Sequence, residues 1–216
     1  MSSNGRPLIA VLDYGIGNLR SAQKALEKVG ADARLTDDPL VIDEAAGVVL
    51  PGVGAFASCM AALERSKLDD IAQDAATAAV VDLPGSRPFL GICVGLQMLY
   101  ESSEEAPGTD GLGVLDGWVR RLPDGVRRPQ MQWNRLEPTG DHAMLAGMTH
   151  PSYVYFVHSY APDDPNHATA TCEYGGKVVA SVARGRLWAT QFHPEKSSTN
   201  GLRLLANFVE FCRTAR

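Results

Sequence analysis

Apolar residues fall into two rhythms along the first hundred positions. Leu8–Leu12, Gly47–Leu50 and Phe89–Ile92 are continuous runs of four or five residues, the texture of strands buried on both faces. Ala33–Leu35 reads as a weaker strand of the same kind. Between these runs the apolar positions recur at helical spacing. Leu19, Ala22, Ala25, Leu26 and Val29 make one face of a helix that Asn18 can cap and Gly30 can stop. Further helices are expected over Ala55–Arg65 and Leu68–Val81. Strand and helix alternate, which predicts an α/β fold: a mostly parallel central sheet flanked by helices.

After Glu101 the rhythm changes. Glu104–Gly113 is polar and loop-like. Strand-like segments then follow one another around Trp118–Leu122, Met131–Leu136, Tyr153–His158, Ala168–Glu173, Val178–Ala183 and Leu187–Thr190. Gly175-Gly176 and Gly185 read as hairpin turns, and His142–Ala146 gives a single helical turn. This half is expected to form an antiparallel layer at one edge of the sheet. Gly201–Arg213 closes the chain as an amphipathic helix with Leu204, Leu205, Phe208, Val209 and Cys212 inward. The 216 residues suit one domain over 1–216, with 1–7 a flexible lead-in.

Composition narrows the function classes. An apolar fraction of 45% and a charged fraction of 21% are ordinary for a soluble globular chain. A net charge of −5 gives no reason to expect nucleic acid or an anionic membrane as partner. Arg120-Arg121 and Arg127-Arg128 are the local exceptions and read as a solvated face first, a partner-binding edge second. No apolar run approaches the ~20 residues of a membrane span. The four cysteines are widely spaced, without C-x-x-C. That is neither a disulfide framework nor a metal signature, and it fits a reducing, cytoplasmic setting.

Candidate chemistry centres on Pro88–Tyr100. Cys93 follows the Phe89 strand and is flanked by Gly91 and Gly95. Leu96, Leu99 and Tyr100 then fall at helical spacing. This is the G-x-nucleophile-x-G pattern of a strand–turn–helix elbow with sulfur in place of a serine oxygen. N–H groups of the following helix would favour the thiolate. A thiol nucleophile needs a base and a group to aim it. Gln191-Phe192-His193-Pro194-Glu195 supplies both. Pro194 pushes His193 toward extended backbone, where positions i and i+2 face the same side. Glu195 can then fix the imidazole tautomer while the other nitrogen accepts the Cys93 proton. The N–H of Val94 and the segment Gly52-Val53-Gly54 are candidate donors to an oxyanion. His142, His150 and His167 are expected on the surface. His158 ends an apolar strand and suits either a core position or a pocket wall.

Gly91–Gln97 together with Phe192-His193-Pro194-Glu195 resembles the class I (triad) glutamine amidotransferases. Within that family, Asp13–Asn18, Pro51–Phe56, Tyr155–Tyr160 and the extension Lys196-Ser197-Ser198 are similar to the glutaminase subunits of histidine biosynthesis. The resemblance runs from Leu8 to Phe211. It implies a flavodoxin-like fold and hydrolysis of glutamine to glutamate and ammonia through a Cys93 thioester. His193 would serve as base and then acid, and Glu195 as its orienter. It further implies oxyanion donors at Val53 and Val94, and glutamine contacts from Gly52, Gln97, His158, Ser159 and Tyr160. Asn18, Trp133, Asn134 and Lys196 would face a (β/α)8-barrel cyclase subunit in a heterodimer that receives the ammonia. No cofactor or metal is implied. Glutaminase subunits serving pyridoxal phosphate, anthranilate or purine synthesis are the alternative within the fold. A non-catalytic or chaperone-like α/β protein is the alternative outside it. Two positions depart from the family pattern: Gln132 stands where glycine is common, and Ile16 where proline is common.

Overall fold

In a computed structural model of the chain, residues 5–83 and 85–215 are described. Residues 1–4 of the expected flexible lead-in lie outside them. Arg6 donates to the Glu27 carbonyl at 2.7 Å, and Pro7 is buried.

The alternating half forms as its pattern predicts. β1 (Leu8–Leu12), α1 (Leu19–Lys28), β2 (Asp32–Thr36), α2 (Pro39–Glu44), β3 (Gly47–Gly52), α3 (Phe56–Arg65), α4 (Asp69–Val81) and β4 (Phe89–Cys93) follow in order. β1, β3 and β4 are buried at every residue, as strands covered by helices on both sides must be. α2 was not anticipated. It has six residues and only Ile42 is buried, too little for a periodic signal. Its marker is Asp38-Pro39, in which the Asp38 carboxylate caps the Leu40 N–H at 2.9 Å and Pro39 sits in the first turn.

The second half departs from the expected edge layer. After α5 (Val94–Gln97) come β5 (Tyr100–Ser103), β6 (Leu115–Arg121), β7 (Gln130–Arg135), β8 (Glu137–Pro138), β9 (Tyr153–His158), β10 (Tyr160–Pro162), β11 (Ala168–Glu173), β12 (Lys177–Arg184), β13 (Leu187–Thr190) and α6 (Ser198–Thr214). Among the described residues the main sheet has the order β2-β1-β3-β4-β13-β12-β11-β8. β12, β11 and β8 are antiparallel additions, but β13 returns to the centre and runs parallel to β4, Leu187 opposite Phe89 through Thr190 opposite Ile92. All four residues of β13 are buried, which requires cover on both faces and excludes an edge. β5, β6 and β10 form a separate sheet, and β7 pairs with β9 in a two-stranded ribbon. The helix expected over Val94–Tyr100 stops at Gln97 because Tyr100–Ser103 is taken up by pairing with β6.

Placing β13 beside β4 fixes the site. Both strands end at the same edge, so the residues after Thr190 meet the residue after Ile92. Ligands in open α/β sheets bind outside the carboxyl ends of the strands. No helix among the described residues is long and apolar enough to cross a membrane. Arg120 pairs with Glu104 and Asp163 at 3.1 and 2.9 Å, and Arg121 with Asp124 at 3.3 Å, so this basic stretch is balanced by its own chain.

Candidate active site

Cys93 ends β4 with φ 56° and ψ −111°. A left-handed backbone at a non-glycine residue costs on the order of 1–3 kcal/mol and persists only where its surroundings enforce it. Here backbone nests on backbone. A Cβ at Gly91 would lie 2.9 Å from the Gly95 oxygen, one at Gly52 would lie 2.6 Å from the Gly95 nitrogen, and one at Gly95 would run into the Leu50 carbonyl. The flanking glycines therefore serve close approach; the positive φ belongs to the cysteine itself. α5 has four residues, so the expected help from a helix dipole reduces to the free N–H groups of one turn.

The base arrives by a different backbone route from the one the sequence predicts. His193 is extended, at φ −95° and ψ 100°, as the following proline requires. Pro194–Lys196 is then a 3-10 turn, and this turn, rather than continued extension, brings Glu195 back to the ring. His193 Nδ1 donates to the Glu195 carboxylate at 2.8 Å, and both side chains are 2% exposed. A carboxylate only accepts, so Nε2 is left for the thiol. Ser197 braces the turn: its hydroxyl donates to the His193 carbonyl at 2.6 Å and accepts from the Tyr155 N–H at 2.9 Å. Burial works to lower the proton affinity of His193. Hydrogen bonding and charge from Cys93 and then Glu195 outweigh it and raise the pKa to about 10. The carboxylate behind the ring thus favours the imidazolium form of His193.

Cys93 and His193 open onto a cavity of about 510 Å³. Val53, Val94, Gln97, His158, Ser159 and Tyr160 line it with them. Asn18 and Lys196 stand at the same cavity. Gly52 does not line it; it is buried beneath the elbow, where its missing Cβ makes room for Val94 and Gly95. Trp133 is 49% exposed on the outer face of the β7–β9 ribbon, while the Asn134 side chain turns back to donate to the Glu173 carbonyl at 2.9 Å. Gln132 is exposed opposite Phe156, and Ile16 packs on the core.

His158 combines both roles open to it in the sequence. It is buried, lines the cavity, and donates from Nδ1 to the Tyr160 carbonyl at 2.8 Å. Burial pushes its pKa down to about 4, against the effect of that hydrogen bond. His142, expected on the surface, is half-buried and stands edge-on to Trp188 at 5.6 Å; burial lowers its pKa.

Four residues near the chemistry have no role assigned by the sequence. Glu105 lines the cavity and accepts from the Phe56 N–H at 2.8 Å, a lone acid in a polar loop with no local signal to mark it. Tyr14 donates to the Pro51 carbonyl at 2.6 Å, and the Cys59 thiol donates to the Val53 carbonyl at 3.3 Å, so the carbonyls on both sides of Gly52 are tied to neighbouring elements. Burial, foremost, keeps both of those groups protonated. Gln191 lies against Cys93 itself.

A thiol at an elbow and an acid-held imidazole on one cavity have the geometry that cysteine acyl transfer requires. The chain belongs to the class I glutamine amidotransferase family, whose model matches residues 10–211. Full-length relatives are narrower in kind. It is 46% identical to the imidazole glycerol phosphate synthase subunit HisH of Symbiobacterium thermophilum, over 93% of this chain and 92% of that one. It is also 46% identical to the protein of the same name from Moorella thermoacetica, over 96% of each. A crystal structure of a glutamine amidotransferase superposes with a TM-score of 0.72 over 94% of this chain and 98% of that one, at 23% identity, a likeness of fold.

Proposed function

We propose that the chain is the glutaminase subunit of an imidazole glycerol phosphate synthase. The observation that carries this reading is the strained Cys93 thiol sharing a cavity with the Glu195-bound His193. Similarity to subunits of that name along nearly the whole chain supports the assignment within the family.

The steps follow from the geometry. The Cys93 proton passes to His193 Nε2, and Sγ then attacks the side-chain carboxamide carbon of glutamine. The oxyanion forms beside the N–H groups of Val53 and Val94. The C–N bond breaks, His193 returns the proton to the departing nitrogen, and ammonia leaves a Cys93 thioester. Water then attacks with His193 as base, the C–S bond breaks, and glutamate is released. Gln97, His158, Ser159 and Tyr160 wall the substrate, Gly52 supports the elbow beneath it, and the Glu105 carboxylate suits its ammonium group. Ammonia passes to a (β/α)8-barrel cyclase, which makes imidazole glycerol phosphate and aminoimidazole carboxamide ribotide. Docking uses the face around Asn18, Trp133, Asn134 and Lys196, where Met131 and Tyr153 are also exposed, at 62% and 49%. The enzyme works as one domain in a cytoplasmic heterodimer, where its four buried cysteines stay reduced.

Glutamine hydrolysis is assayed with and without the cyclase and its ribotide. Weak activity alone and strong stimulation by the loaded partner are expected. Cys93→Ala abolishes ammonia release from glutamine, while added ammonium still supports the cyclase. Retained hydrolysis in that variant overturns the assignment.

A further inference from the structure

Gln191 is wholly buried between β13 and His193, and the steps above give it nothing to do. Its Nε2 stands 3.7 Å from Cys93 Sγ, and its Oε1 stands 3.1 Å from Gln97 Nε2. A carboxamide can present either end to a neighbour, so the orientation needs a cause. The Tyr160 backbone carbonyl provides it. That oxygen only accepts, and it takes Gln97 Nε2 at 3.0 Å. Gln97 therefore presents its NH2 group on this side, Gln191 must meet it with oxygen, and the Gln191 NH2 group is left for the sulfur. The backbone is pinned as well: the Gln191 N–H donates to the Ala180 carbonyl at 2.8 Å, and the Phe192 carbonyl accepts from Thr190 Oγ1 at 2.9 Å.

We propose that Gln191 is a catalytic residue whose carboxamide N–H donates to the Cys93 sulfur and stabilises the thiolate, held in that orientation by Gln97 and the Tyr160 carbonyl. A buried donor to an ionised acceptor is worth more than one to a neutral group. It acts twice: before attack, when the S–H proton moves to His193, and in deacylation, when the C–S bond breaks and the electron pair returns to sulfur. A donor also blunts the sulfur. One unit of acidification gives up to about tenfold more thiolate and removes roughly threefold in intrinsic nucleophilicity, so the gain in thiolate wins.

The proposal rests on the glutaminase reading for its use in turnover, but its test needs neither glutamine nor partner. Alkylation of Cys93 by iodoacetamide is followed across pH by peptide mapping in the full chain. Gln191→Met keeps the length and removes the donor. Gln191→Glu keeps an oxygen toward Gln97 and puts an acceptor on the sulfur. The other titratable groups reaching Cys93, namely His193, Tyr14 and Cys59, are unchanged in both. The apparent midpoint, which belongs to the Cys93–His193 pair, moves up by about one pH unit in Gln191→Met and further in Gln191→Glu. A folded variant of either kind that keeps the parent midpoint overturns the proposal. Should both substitutions unfold the chain, nitrogen-15 spectra of the parent decide. The Gln191 side-chain NH2 resonances follow the same midpoint and shift on alkylation; resonances that follow neither overturn it.

Discussion

The two halves of the proposed catalytic centre are held by different physics. Cys93 is fixed by backbone against backbone: Gly52, Gly91 and Gly95 let β3, β4 and α5 approach closer than side chains allow, and a left-handed residue is trapped among them. His193 is fixed by side chains. Glu195 takes one ring nitrogen, Ser197 bridges the turn to β9, and Pro194 stiffens the link. The first arrangement admits no intermediate states, because a single methyl group has nowhere to go. The second can be loosened one hydrogen bond at a time. Damage to the nucleophile half should therefore register as loss of fold, and damage to the base half as loss of rate.

Four changes sharpen or break that contrast. Glu195→Gln should leave unfolding transitions close to the parent yet lower kcat by roughly 10³–10⁴-fold in the partner-stimulated assay, since the imidazolium loses its counter-charge and its tautomer. Gly95→Ala should lose about 3 kcal/mol or more in denaturant unfolding, because the new methyl meets the Leu50 carbonyl. Near-parental stability there would mean that the elbow yields, and the contrast would fail. The cavity wall supplies the third. His158 stays neutral in the fold, with its pKa pushed from 6.5 to about 4, so the unfolded chain binds the extra proton first. Its contribution is complete above pH 6.5 and is withdrawn as pH falls through 6.5 to 4, an effect of about 3 kcal/mol. His158→Gln should flatten that part of the stability–pH curve. The smallest is Ser197→Ala, with about 1 kcal/mol of stability lost and a fall in kcat as the turn under His193 loosens. An unchanged kcat would show that Pro194 holds the turn alone.

The same contrast governs how much the sequence revealed. Close packing of backbone leaves a trace in composition, since only glycine fits, and Gly-x-Cys-x-Gly after a buried run marked the elbow correctly. The continuous apolar runs marked β1, β3 and β4 for the same reason: burial on both faces permits nothing polar. The His193–Glu195 pairing was reached by wrong geometry, because Pro194 restricts the residue before it and says nothing of the 3-10 turn after it. The place of β13 was illegible, since a buried strand reads alike whether its neighbour is parallel or antiparallel. Leu96, Leu99 and Tyr100 mimic a helical face because burial surrounds them on all sides; the strand at Tyr100 exists only through β6. Glu105 and Gln191 carried no pattern. Their surroundings come from segments 49 and 98 positions away, and no local window contains both members of either pair.

The dihedral angles at Cys93 carry a consequence for the fate of the chain. A glycine there would accept the positive φ without strain and lose the sulfur in the same exchange, so comfort of the backbone and reactivity of the side chain are opposed at this one position.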